Sequence, residues 1–205
     1  ECKKLSSITF SELFTCQVAT TMNKMFYRCE NLPNVDLSFW NPTKVNDLSF
    51  MFAECKKLET VSFSEKFLGE SVKNMSCMFY CCGALKSINL SSIHTKLVED
   101  MSKMFYQCSS LTSVTLLEKF TCEKVKNMSN MFNSLVLIRY IDISNFNTKN
   151  VTSMDCMFNY DKNLTRRQIF SCKKGIAIVS SCFYWRFDNG QRVFVMISRG
   201  YSLFL

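Results

Sequence analysis

The sequence predicts an α/β repeat solenoid, a curved array with one short parallel strand and one short helix per 26/27-residue unit. Three observations predict it. The pair Met-Phe recurs at 25/26, 51/52, 78/79, 104/105, 131/132 and 157/158, in steps of 26, 27, 26, 27 and 26. A Met stands three residues before each pair (Met22, Met75, Met101, Met128, Met154), with Leu48 in the second copy. A second signature, L-x-x-(I/V)-x-(L/F), begins at Leu5, Leu32, Leu58, Leu85, Leu111 and Ile138, with a partial seventh at Leu164. Self-similarity at such a period marks stacked units, none of which buries its apolar face alone.

The two lengths alternate, so the true period is 53 residues, a pair of unlike units. Longer units carry Glu-x-Phe after the strand (Glu12/Phe14, Glu65/Phe67, Glu118/Phe120); shorter ones carry Trp40, Ile93 and Phe146 in one shared column. Within a unit, "LKSINLS" (85–91) alternates apolar and polar residues, which predicts a half-buried strand with Ile88 and Leu90 on one face. "MSCMFYCC" (75–82) places Met75, Met78, Phe79 and Cys82 at i, i+3, i+4 and i+7, the apolar stripe of a helix of about two turns. Before each such stripe stands Thr21, Asp47, Asn74, Asp100, Asn127 or Ser153, all residues whose side-chain oxygen accepts from the first free helical N–H groups. Strands stack about 4.8 Å apart and packed helices about 8–10 Å, which predicts an arc with strands on the concave side. This is the economy of a leucine-rich-repeat-like array.

Residues 1–165 are assigned to the solenoid, about six units plus the partial seventh, and 166–205 to a divergent C-terminal cap or non-repeat tail. In that tail Arg167 falls where an apolar strand residue belongs, and no Met-Phe follows. "FYWRFDNGQRVFVMIS" (183–198) predicts a hairpin around Asp188, Asn189 and Gly190. A cap over the last unit's open core is one reading of the tail; a segment foreign to the repeat family is the other. The chain begins at Glu1 with neither an initiator Met nor a signal peptide, so upstream sequence is expected to be missing.

Composition narrows the function classes. Apolar residues make up 47% of the chain and only 5 Gly and 2 Pro occur, which excludes collagen-like, linker-rich and disordered chains. No apolar run approaches the roughly 20 residues of a membrane-spanning helix, so no membrane span is expected. The net charge of +8 is uneven: residues 166–205 carry +6 and the remainder only +2. A basic tail on a nearly neutral body is not a phosphate-tracking groove, and no nucleic acid partner is expected.

Three cysteines in six residues (Cys77, Cys81, Cys82) look like a metal or redox centre, and the repeat supplies an internal test. Cys82 shares its column with Cys29, Cys55, Cys108 and Leu135, so that position is apolar and a thiol there acts as a small hydrophobe. Asp161 takes the column only in the last copy. Cys77 and Cys156 share a column with Lys24, Phe50, Lys103 and Asn130; Cys81 shares one with Arg28, Glu54 and Gln107. No C-x-x-C pair occurs among the 12 cysteines, so no metal and no cofactor is expected. His94 lies in a loop column with Asn41 and Asn147 and reads as a turn residue. It has no acid or nucleophile at a telling spacing, so no catalytic residue is assigned and the chain is read as not an enzyme.

Strand positions that point away from the core form two polar columns. One holds Ser7, Asn34, Thr60, Ser87, Ser113 and Tyr140; the other holds Thr9, Asp36, Ser62, Asn89, Thr115 and Asp142. The second alternates hydroxyl with Asp or Asn. Such a sheet could hydrogen-bond a glycan or an extended peptide at regular intervals, a broad multivalent contact rather than one pocket. Five N-x-S/T sequons (Asn74, Asn89, Asn127, Asn150, Asn163) would matter only in a eukaryotic secretory pathway.

The order V-x-x-M-x-x-M-F, then a Cys, Leu or Asp, then the strand signature, is clearest in "KVKNMSNMF" (124–132) and "NVTSMDCMF" (150–158). It resembles the BspA-like leucine-rich-repeat surface proteins over about residues 5–165. That resemblance implies a cell-surface or secreted adhesin that contacts a protein or glycan on a host or neighbouring cell. The units also resemble cysteine-containing leucine-rich repeats in substrate-recognition subunits of ubiquitin ligases, which implies instead an intracellular, cytoplasmic adaptor for protein–protein interaction.

Overall fold

A computed structural model of the chain describes residues 1–14, 16–67 and 69–160, with three further strands between 183 and 204. Four short strands come from the second to fifth copies of the strand signature: β1 (Asn34–Leu37), β2 (Thr60–Phe63), β3 (Ser87–Asn89) and β4 (Ser113–Thr115). Their alternation of exposed and buried residues is the reason they extend: Val35, Leu37, Val61 and Ile88 point into the core. The first and sixth copies, at Leu5 and Ile138, form no strand, and the partial seventh at Leu164 lies outside the described residues.

β1 pairs in parallel with β2, Asn34↔Thr60 to Leu37↔Phe63, and β3 with β4, Ser87↔Ser113 to Asn89↔Thr115. A second parallel ladder runs through all six described units as single bridges, Thr21↔Asp47↔Asn74↔Asp100↔Asn127↔Ser153. Every described unit thus meets the next at the turn-side bridge, and β1 meets β2 and β3 meets β4 along the strand as well.

The predicted helix is absent: no helix occurs among the described residues, and "MSCMFYCC" is a run of tight turns. The N–H groups of Met78, Tyr80 and Cys82 donate locally to Met75, Cys77 and Phe79 O. Those of Met75, Cys77, Phe79 and Cys81 donate instead to Asp100, Ser102, Met104 and Tyr106 O of the next unit, at 2.8–2.9 Å. Alternate amides therefore serve the turn and the neighbour, whereas a helix would spend them all on itself. An isolated two-turn helix is marginal in water, so the competing arrangement wins. It requires left-handed residues at two columns per unit, among them Lys24/Arg28, Cys77/Cys81, Lys103/Gln107 and Cys156/Tyr160, with φ from +55° to +64°. The arc expected from helix width loses its source, since no helix occupies the turn side and its units are spaced there by parallel backbone bridges.

The predicted cap residues keep their chemistry in a different motif. Asp47, Asn74, Asp100 and Asn127 Oδ1 accept from the N–H two residues on, at 2.7–3.0 Å, and Thr21 Oγ1 does so at 3.1 Å. These are Asx and Ser/Thr turns that start each turn run. The stripe expected to be buried is buried: Met75, Met78, Phe79 and Cys82 are all at 0% exposure. Phe26, Phe52, Phe79, Phe105, Phe132 and Phe158 stack ring on ring at 5.2–5.7 Å through the core.

Towards the C-terminus, β5 (Phe183–Asp188) pairs antiparallel with β6 (Gln191–Ser198), as the hairpin reading has it, and β6 with β7 (Tyr201–Phe204). The third strand has no counterpart in the sequence reading.

Candidate functional site

All twelve residues of the two polar columns are exposed. Pairing brings them together two by two: Asn34 beside Thr60, Asp36 beside Ser62, Ser87 beside Ser113 and Asn89 beside Thr115. Ser7, Thr9, Tyr140 and Asp142 sit at the equivalent sequence positions of units without a strand. The columns are therefore not continuous rows of six.

Where they break is informative. Strands pair across the 26-residue steps (34 to 60, 87 to 113) and not across the 27-residue step from 60 to 87. The extra residue lies after the strand: Val72 follows Thr60 by 12 positions, but Val45 follows Asn34 by 11. β2 and β3 remain tied only at their entry, where Lys86 N donates to Glu59 O at 3.3 Å. Beyond that point they part, leaving an open depression of about 330 Å³ lined by Val61, Ser62, Phe63, Glu65, Asn89, Ser91 and Ser92. A smaller one of about 200 Å³ lies at the preceding 27-residue junction, lined by Glu12, Phe14, Cys16 and Gln17 of the first unit, Phe39 and Asn41 of the second and Lys66 of the third.

The alternation of hydroxyl with Asp or Asn in the second column has a local cause. Asp36, Asn89 and Asp142 Oδ1 accept from Ser38, Ser91 and Ser144 N at 2.8–3.0 Å, closing an Asx turn as each shorter unit leaves its strand. Hydrogen bonds from Ser144, with a further one from Tyr140, hold the Asp142 carboxyl below the usual carboxylate range. These three residues therefore shape the chain as well as facing solvent, which the sequence reading missed. The signal was present, since each has a serine two positions on.

None of the twelve residues is a lysine or arginine. Cations at the strand entries pair across units instead, Lys56 with Glu30 at 2.7 Å and Lys86 with Glu59, as does Lys126 with Glu99 at 2.7 Å beside the turn-side bridges. Lys56 and Lys126 hold the Glu30 and Glu99 carboxyls below their usual range. The exposed strand face is thus a neutral to acidic, hydrogen-bonding surface.

The cysteine column is buried as its Leu135 copy implies, and it has an order beyond packing. Cys55, Cys82 and Cys108 Sγ donate to Phe26, Phe52 and Phe79 O of the preceding unit at 3.0–3.1 Å. Burial pushes the Cys55 thiol up to about 12 and those of Cys82 and Cys108 well above the ordinary range, so they are poor nucleophiles. Among the described residues no group of three or more His, Cys, Asp or Glu is placed to hold a metal ion. Asp161 lies outside those residues. His94 is half-buried in the loop between two turns rather than in one, its Nε2 enclosed without a hydrogen-bond partner.

Among the described residues no helix is long and apolar enough to cross a membrane. Residues 6–114 and 82–174 match the family described as "Mycoplasma protein of unknown function, DUF285", and the chain belongs to that family. The two matches overlap over 82–114, as expected where one family pattern fits a repeating chain in more than one register. No curated protein and no solved structure matches the chain.

Proposed function

We propose that this chain is a non-enzymatic binding module of a cell-surface or secreted adhesin, and that it contacts protein or glycan through its exposed strand face. The units are read as coils of one leucine-rich-repeat-like solenoid. The observation that carries the proposal is the set of twelve exposed, mostly short polar side chains, eight of them on strands held in parallel register. Side chains fixed at a regular pitch meet a repetitive ligand at many weak points, and many weak points add to firm attachment. The resemblance to BspA-like surface proteins points the same way.

A second reading, an intracellular adaptor for protein–protein interaction, is favoured by nine free thiols among the described residues, Cys29, Cys55, Cys82 and Cys108 of the buried column among them. Unpaired thiols at this density suit a reducing interior better than an oxidising exterior. Antibody labelling of source cells, intact against permeabilised, separates the two. Labelling of intact cells is expected; signal confined to permeabilised cells would replace the adhesin with the adaptor.

A further inference from the structure

We propose that the ligand-binding subsites are the notches at the 27-residue junctions, one per 53-residue block, and that they take an extended polysaccharide with one disaccharide per notch. The inference rests on the strand face being the binding surface and narrows it from a uniform sheet to a periodic row.

Three observations converge. Two depressions lie at junctions from a longer to a shorter unit, across which no strands pair. The groups of the central notch recur in the sequence, and of their counterparts one block earlier Glu12 and Phe39 line the smaller depression. Ser62 and Glu65 on the longer unit face Asn89 and Ser91 on the shorter one; Thr9 and Glu12 stand at the corresponding positions one block earlier, Thr115 and Glu118 one block later. The local geometry also leaves ligand-ready groups. Asn89 Oδ1 is taken by Ser91 N, which fixes the side chain and leaves its Nδ2 as a donor.

The chemistry of the central notch favours a neutral sugar. Hydroxyl, amide and carboxylate groups from Ser62, Ser92, Asn89 and Glu65 line the notch together with the apolar Val61 and Phe63. A pyranose ring has the complementary form, a rim of hydroxyls around C–H faces, and a carboxylate accepts well from neighbouring hydroxyls. No cation lines this notch, which disfavours an anionic ligand.

The pitch favours the same class. Successive notches are two units apart, and the parallel bridges that tie every unit to the next set that separation at about 10 Å. In an extended β-linked polysaccharide alternate sugars are flipped, so the same face returns once per disaccharide, over a comparable length. An extended peptide returns the same face every two residues, about 6.7 Å, and falls out of step. A polyproline II peptide repeats at about 9 Å, but it is recognised by aromatic-lined grooves, and these notches are rimmed by serines and a glutamate.

The test is calorimetric titration of the whole chain with β-1,4-linked N-acetylglucosamine and glucose oligomers of two, four and six sugars, and with a proline-rich decapeptide. Affinity for one sugar series should rise about tenfold or more at each added disaccharide. Glu65→Gln with Ser62→Ala should abolish at least one such step and weaken binding more than Ser87→Ala with Ser113→Ala, on paired strands, while Lys103→Asn, on the turn side, should change binding less than about twofold. Affinity independent of length, binding of neither sugar series, or binding of the decapeptide instead would each overturn the proposal. Loss confined to the Ser87 and Ser113 variant would refute the notches while leaving the strand face as the binding surface; the adhesin reading stands or falls separately on the labelling of intact cells.

Discussion

The two sides of the ladder answer differently to one extra residue. On the turn side the bridges from Thr21 to Ser153 and the phenylalanine stack run through every described unit without a break. On the strand side, pairing holds across one junction and fails at the next. The extra residue of the longer unit lies after the strand and before the next bridge, so its effect is confined to the segment that contains it. The turn side supplies continuity and the strand side supplies periodic openings. A surface can vary with a period of 53 residues on a scaffold that repeats about every 26.

The comparison breaks most visibly in the core. Phe79→Ala removes a fully buried ring from the middle of the stack and should cost about 3–5 kcal/mol in denaturant unfolding. Phe63→Ala, beside the notch, removes a partly buried ring that meets Phe52 and Phe67 edge-on and should cost clearly less. Equal costs would mean that the stack contributes no special continuity.

The Asx turns come next. Asp100→Ala deletes the acceptor for Ser102 N at 2.7 Å and should cost about 0.5–2 kcal/mol, whereas Asp100→Asn should cost little, since Asn74 and Asn127 fill the same column. A large loss in the Asn variant would point to the charge rather than the turn.

The thiol column predicts a pH dependence with a definite sign. A buried thiol whose folded pKa lies above its unfolded value binds its proton longer in the native state, so its stabilisation is complete below about 9 and is lost as pH rises towards 12. Under reducing conditions each of Cys55, Cys82 and Cys108 should steepen the alkaline loss of stability by up to about 1.4 kcal/mol per pH unit. Cys82→Leu should lie within about 1.5 kcal/mol of the native chain at pH 7 and show a shallower alkaline slope. An unchanged slope would show that this thiol is not protonated and buried as described.

The smallest effect expected is at the left-handed columns. Lys103 is exposed with φ +55°, and Asn130 occupies its column in the next unit. Asn tolerates this conformation better than Lys, so Lys103→Asn should leave stability unchanged or raise it by up to about 1 kcal/mol.

Much of this was legible in the sequence, and its gaps have physical causes. The Met-Phe register marked the buried stripe, and Leu135 identified the environment of Cys82. The helix was misread because a stripe at i, i+3, i+4 and i+7 specifies which side chains are buried, not where their amides donate. Phe79 N finds its acceptor in Met104 O, 25 positions away, and no local pattern encodes that choice. The alternation of 26 and 27 was plain, yet its consequence depended on which side of the unit holds the extra residue. Leu164 and Asp161, at the end of the span assigned to the solenoid, lie outside the described residues.

The turn ladder is tested most directly by through-hydrogen-bond scalar coupling in isotope-labelled protein. The account predicts a coupling between the Phe79 amide nitrogen and the Met104 carbonyl carbon, with none to Met75. A coupling from Phe79 to the Met75 carbonyl carbon, the i−4 bond of an α-helix, would contradict it.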